Sequence, residues 1–179
     1  MSLEDEQHFR VNARRRAMDL LARREHTRQE LFLKLRTRLC ADGPAASAQS
    51  NNDGESLNTL TNAESLLDQV LDKLEADGLL SDARFVESFL NSRKHKGYGP
   101  LYIRHQLRIK NVDEVGLATV SEVEEAQWLD ALQTLIKKRL SAGEFPKRGS
   151  KDYLKLQRFV LSRGYSVAQW GEVERRVSR

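Results

Sequence analysis

A chain of 179 residues suits one ordinary domain or a row of smaller modules, and 39% hydrophobic against 31% charged residues suits a modest core under a well-solvated surface. The net charge of +4, with an isoelectric point near 9.3, favours an acidic partner. One cysteine, Cys40, rules out an internal disulfide; the opening MSLEDEQHFR is too acidic for a secretory signal, and no apolar run approaches the roughly 18 residues a membrane span needs. The expected location is therefore the cytoplasm, with no membrane partner.

The fold class is all-α, because apolar residues recur at helical spacing and nowhere alternate as in a strand. Nine helices are predicted, at 7–25, 28–39, 62–77, 82–96, 100–110, 113–119, 123–142, 150–163 and 167–177. The first carries Ala17, Leu20 and Leu21. The second opens at Thr27-x-x-Glu30, a capping-box pattern, and carries Leu31, Leu35 and Leu39, with Cys40 as a small apolar residue at its end. Residues 41–60 are rich in Ala, Ser, Asn, Asp and Gly, and they read as a mobile surface insertion. Thr61-x-x-Glu64 and Ser121-x-x-Glu124 look like further capping boxes, opening the third and seventh helices. Gly78, Gly97 and Gly164 are expected to close helices in the left-handed conformation, and Pro100 to open the fifth.

The helices also repeat. Leu31 and Leu35 precede Arg36, Ile103 and Leu107 precede Arg108, and Leu156 and Val160 precede Arg163-Gly164-Tyr165. Each set places apolar residues four apart on one helix face and basic residues on the other. The implied organisation is three tandem three-helix repeats, at 1–80, 81–121 and 122–179, stacked into an elongated, curved helical body.

Charge is sorted into blocks. Residues 10–39 hold ten Arg/Lys and three Asp/Glu, whereas 41–89 hold two and ten. Residues 93–111 hold six basic residues and no acidic one, 113–130 the reverse, and 137–179 are again basic. Solvated helix faces account for many of these residues but not for the sorting, and stacked repeats could align the basic blocks along one side.

The stretch RKHKGYGPLYIRHQLR at 93–108 tests whether the protein is an enzyme. Gly97-Tyr98-Gly99 lacks the third glycine of a dinucleotide fingerprint and follows a helix where that motif follows a strand. There is no phosphate-loop motif and no G-x-S-x-G elbow, and His8, His26, His95 and His105 are never three or four apart. Each histidine reads as a surface or helix-end residue. The expectation is a non-enzymatic protein without cofactor or metal, in which Gly97 and Gly99 make a tight turn between helices.

The same stretch carries a family resemblance. Leu79-Leu80-Ser81-Asp82-Ala83-Arg84-Phe85-Val86, Ser92-Arg93, Lys96-Gly97-Tyr98-Gly99-Pro100 and Ile103-Arg104-His105-Gln106-Leu107 resemble the signature of RecX regulatory proteins, bacterial modulators of the RecA recombinase. Leu21-Ala22-Arg23-Arg24-Glu25-His26-Thr27 near the start and Gln157-Arg158-Phe159-Val160-Leu161-Ser162-Arg163-Gly164-Tyr165 near the end extend it. The chain departs from the family at 41–60, at 112–126, and at Leu39 and Asn111, where the family often places glycine.

The resemblance implies a monomeric protein in the groove of the RecA filament on single-stranded DNA, lowering RecA's ATPase, strand-exchange and coprotease activities. DNA repair, recombination and the SOS response would be modulated in consequence. The residues expected to meet the filament or DNA, single- or double-stranded, are Arg28, Lys34, Arg36, Arg93, Lys94, Lys96, Tyr98, Arg104, Arg108, Lys110, Arg158 and Arg163. The alternative is a free-standing nucleic-acid binder acting without RecA, with Tyr98, Tyr102 and Phe159 stacking on bases. The acidic blocks argue against it, because phosphate gains nothing from them.

Overall fold

A computed structural model describes residues 2–42, 53–141 and 144–177. It contains nine helices and no strand among those residues: α1 (Leu3–Leu21), α2 (Arg28–Asp42), α3 (Asp53–Ala76), α4 (Asp82–His95), α5 (Pro100–Ile109), α6 (Glu114–Glu122), α7 (Glu125–Leu140), α8 (Lys151–Ser162) and α9 (Val167–Val177). No helix among the described residues is long and apolar enough to cross a membrane. Two compact units divide the chain, residues 1–85 and 86–179.

The expected insertion at 41–60 is helical at both of its described ends. Residues 43–52 lie outside the described residues, but α2 runs on to Asp42 and α3 begins at Asp53, earlier than predicted. Low helix propensity at Ser and Asn is a weak prior once a helix is nucleated, since each added residue gains a hydrogen bond. Cys40 accordingly falls in the last turn of α2.

Caps explain most helix starts, though not always the expected ones. Thr27 Oγ1 accepts from the Glu30 N–H at 3.1 Å and opens α2 as read. Thr61 and Ser121 instead lie inside α3 and α6. A four-residue polar pattern also arises by chance on a solvated helix face. Two reciprocal boxes went unread: Ser2 with Asp5 at α1, and Ser166 with Gln169, where the Ser166 N–H donates to Oε1 at 2.9 Å and the Gln169 N–H donates to Oγ at 3.1 Å. Pro100 begins α5, and Gly78, Gly97 and Gly164 all have positive φ. Asn111 reaches φ +55°, a conformation that asparagine tolerates better than most residues. Leu39 serves no turn; it is a buried core residue of α2.

In unit 1, α1, α2 and α3 pack mutually around Ala17, Leu31, Leu35, Leu67, Leu71 and Leu74. Each buried leucine of such a core contributes about 1.5–3 kcal/mol. Opposite charges then close its surface: Arg28 meets Asp68, Asp72 and Glu75 of α3 at 3.1, 2.8 and 2.8 Å, Arg36 meets Glu64 at 2.7 Å, and Arg14 meets Asp77 at 2.8 Å. Burial opposes the charge on Arg28, but the Asp72 hydrogen bond and the Glu75 and Asp72 charges outweigh it, so its pKa is raised.

Unit 2 holds the rest of α4 and α5 to α9. Its helix pairs are α5 on α6, and α7 and α8 on α9. Trp128, Leu132, Ile136, Tyr153, Val160, Trp170 and Val173 are buried, and the Trp170 indole donates to Tyr153 Oη at 3.2 Å. All six apolar positions of the repeat pattern, Leu31, Leu35, Ile103, Leu107, Leu156 and Val160, are buried, and they lie on α2, α5 and α8.

His26 departs from the surface-residue expectation. It stands at a helix end, before α2, but is only 1% exposed, with Nδ1 3.3 Å from Glu30. Burial first, then the charges of Arg24 and Lys34, lower its pKa below the usual 6.5 despite Glu30. The unfolded chain therefore binds the proton more readily than the native one, so stability is full above the unfolded pKa and falls as pH drops through it. Thermal unfolding followed by circular dichroism should show wild type losing more stability than His26→Asn between about pH 7 and 5.5; parallel losses would contradict this.

Candidate functional site

The basic stretch at 93–111 is positioned by its turn. α4 ends at His95, Gly97 takes φ +77°, and Gly99 leads into Pro100 and α5. This turn meets the end of α8 backbone to backbone. The Gly99 N–H donates to the Arg163 carbonyl at 2.8 Å and the Leu101 N–H to the Gly164 carbonyl at 3.1 Å. A β-carbon on Gly99 would lie 2.5 Å from the Gly164 oxygen, and one on Gly164 would lie 2.4 Å from the Tyr102 nitrogen. Only glycine fits at either position.

Arginines and aromatic rings continue the contact sideways. Arg163 stands 4.6 Å from the Tyr98 ring centroid and 5.1 Å from that of Phe159, while its Nη1 donates to the Lys96 carbonyl at 3.2 Å. Arg139 covers Phe159 at 4.7 Å, Arg93 covers Phe89 at 4.8 Å, and Tyr102 stacks on Tyr98 at 4.2 Å. Such contacts are worth about 0.5–1 kcal/mol each where exposed. Tyr98, Tyr102 and Phe159 therefore each take part in packing within the unit.

The expected site residues divide into three groups. In unit 1, Arg28 and Arg36 are held by α3 carboxylates and Lys34 by Glu30 at 3.2 Å, so their charge is largely answered within the unit. In unit 2, Arg93, Lys94, Lys96, Tyr98 and Arg163 converge on the glycine turn. Arg104, Arg108 and Lys110 lie on α5 or just after it, and Arg158 on α8; Arg108 and Arg158 are exposed, and Arg104 buries its Nε without a hydrogen-bond partner. No carboxylate pairs with Lys96, Arg104, Arg108 or Arg158 among the described residues, and no group of three or more His, Cys, Asp or Glu there could hold a metal. Arg139 and Phe89 were missed, and their only sequence signal was a basic or aromatic residue on an amphipathic helix.

The fold is an all-helical protein with a cation-rich turn between α4 and α5. The family model for the second three-helix domain of RecX matches residues 81–115, from the start of α4 into α6. A regulatory protein RecX of Pseudomonas entomophila is 34% identical over 163 residues, spanning 91% of this chain and 90% of that protein. One from Pseudomonas fluorescens is 34% identical over 157 residues, 88% and 86% of the two chains. A crystal structure of regulatory protein RecX shares the fold, with a TM-score of 0.67 at 19% identity over 93% of this chain and 73% of that one. The chain belongs to the RecX family of regulatory proteins.

The backbone crossing has a direct test in Gly164→Ala, compared with Gly78→Ala, whose added methyl meets nothing within 4 Å at φ +69°. Gly78→Ala should cost only the conformational strain, about 1–2 kcal/mol, whereas Gly164→Ala adds a backbone clash and should cost roughly 3 kcal/mol or more in urea unfolding. Equal losses would mean that the crossing is looser than described.

Proposed function

We propose that this protein binds the RecA filament on single-stranded DNA and lowers its ATPase, strand-exchange and coprotease activities, as a cytoplasmic monomer built from three three-helix repeats. The observation that carries this reading is the coincidence of two features within α4, α5 and their connecting turn. That segment lies in the RecX family-model match at 81–115, within which residues 93–111 hold six basic residues and no acidic one. Filament subunit surfaces and DNA phosphate both offer negative charge to such a stretch.

Charge of both signs supports a protein partner over nucleic acid alone. Asp68 and Asp72 remain more than half exposed although both contact Arg28. A phosphate backbone would be repelled by them, whereas a protein surface can match them. DNA repair, recombination and the SOS response would be affected only through RecA.

DNA-dependent ATP hydrolysis by preformed RecA filaments is the test. The rate should fall when the folded protein is added in molar excess, and the protein alone should hydrolyse no ATP. An unchanged rate would overturn the reading. Binding to single-stranded DNA with RecA unaffected would favour the free-standing nucleic-acid binder.

A further inference from the structure

Beside the glycine turn lies a second feature, a cleft between the end of α4 and α7. Lys94, His95 and Lys96 face Leu135 and Lys138 across a space of about 490 Å³. Its floor is apolar: Gly97 sits so close to Leu135 that an added methyl would come within 2.7 Å of Cδ1. Its rim is basic. Lys94 Nζ is held 2.7 Å from the Gln127 amide oxygen and 5.5 Å from the Trp128 ring, contacts that orient the ammonium without neutralising it. His95 Nδ1 lies 2.7 Å from the Asn91 carbonyl, so that nitrogen carries its proton. Asp130, a carboxylate on the cleft, already has Arg176 at 3.9 Å, and neither Lys96 nor Lys138 pairs with a carboxylate among the described residues.

Helix macrodipoles explain part of this, since Lys94, His95 and Lys138 all lie in last turns. A macrodipole is answered by cations anywhere around the last turn, however, and does not require them to rim one cleft over an apolar floor. We propose that this cleft takes an acidic peptide segment of a protein partner, its carboxylates reaching Lys94, Lys96 and Lys138 while an aliphatic side chain between them settles on Leu135. Nucleic acid fits less well. Phosphates would use the lysines and leave the floor uncovered, and the nearby ring, Trp128, is only 2% exposed and offers no face for stacking.

The proposal rests on the reading of this chain as a protein-docking regulator and adds the chemistry of the docked segment. Its test is fluorescence anisotropy of a short labelled peptide of alternating glutamate and leucine with the full-length protein. A Lys96→Gln/Lys138→Gln variant should bind about tenfold more weakly than wild type, the loss expected from two charge contacts on a partly solvated rim. Lys151→Gln, an exposed lysine on α8 remote in sequence from the cleft, should bind as wild type does. Because these lysines are exposed, circular dichroism should show all three proteins folded alike. Equal peptide affinity for wild type and the double variant, or displacement of the peptide by oligothymidine with tighter binding, would overturn the proposal. Cosedimentation with RecA filaments on single-stranded DNA separates the two claims. Lysine-dependent peptide binding by a wild-type protein that ignores filaments leaves the cleft standing and removes the RecA reading; filament binding with lysine-independent peptide binding does the opposite.

Discussion

Two backbone hydrogen bonds, from Gly99 to Arg163 and from Leu101 to Gly164, fix the geometry on which the account of unit 2 depends. They join segments far apart in the sequence without using a side chain. A contact of this kind requires both strands of backbone to approach below the distance a β-carbon allows, which is why glycine stands on each side. Once the turn is seated, the arginine and aromatic contacts of Arg163, Tyr98 and Phe159 stiffen it, and the basic residues of α4 and α5 are held in fixed directions. The Gly97–Pro100 half of this contact lies inside the segment that the family model matches.

Charge does two different jobs in the two units. In unit 1 the basic block of α1 and α2 meets the acidic block of α3, and Arg14, Arg28 and Arg36 are met by carboxylates there. Much of the sorting visible in the sequence is thus internal pairing between neighbouring helices. The stretch at 93–111 is different, because Lys96, Arg104 and Arg108 have no carboxylate partner among the described residues. Maintaining uncompensated like charge on adjacent turns costs stability, and a partner of opposite charge would relieve that cost. This contrast moves the weight of the docking argument from the first helices to the turn between α4 and α5.

Helices, their glycine stops and the buried positions of α2, α5 and α8 were legible because each follows from local spacing. The caps were half legible. Thr27 caps α2, but the same polar pattern at Thr61 and Ser121 falls inside helices, and nothing local separates a cap from a solvated helix turn. The burial of His26 and the destination of Arg28 were not legible, since both depend on tertiary packing, and for Arg28 on which face of α3 comes to rest against α2. The pairing of Gly99 with Gly164 was hidden because it depends on how the end of α8 meets the α4–α5 turn, although both glycines were singled out. At the site, charge type and position could be read, while the division between internally paired and uncompensated cations required the packing.

Hydrogen–deuterium exchange of the protein with and without RecA filaments on single-stranded DNA tests the central claim most directly, because it reports which backbone segments a partner covers. The account requires slowed exchange across residues 93–111 when filaments are present, with the paired helices α2 and α3 changing less. Filament-dependent protection confined to α1, α2 and α3, with 93–111 exchanging as in the free protein, would contradict it.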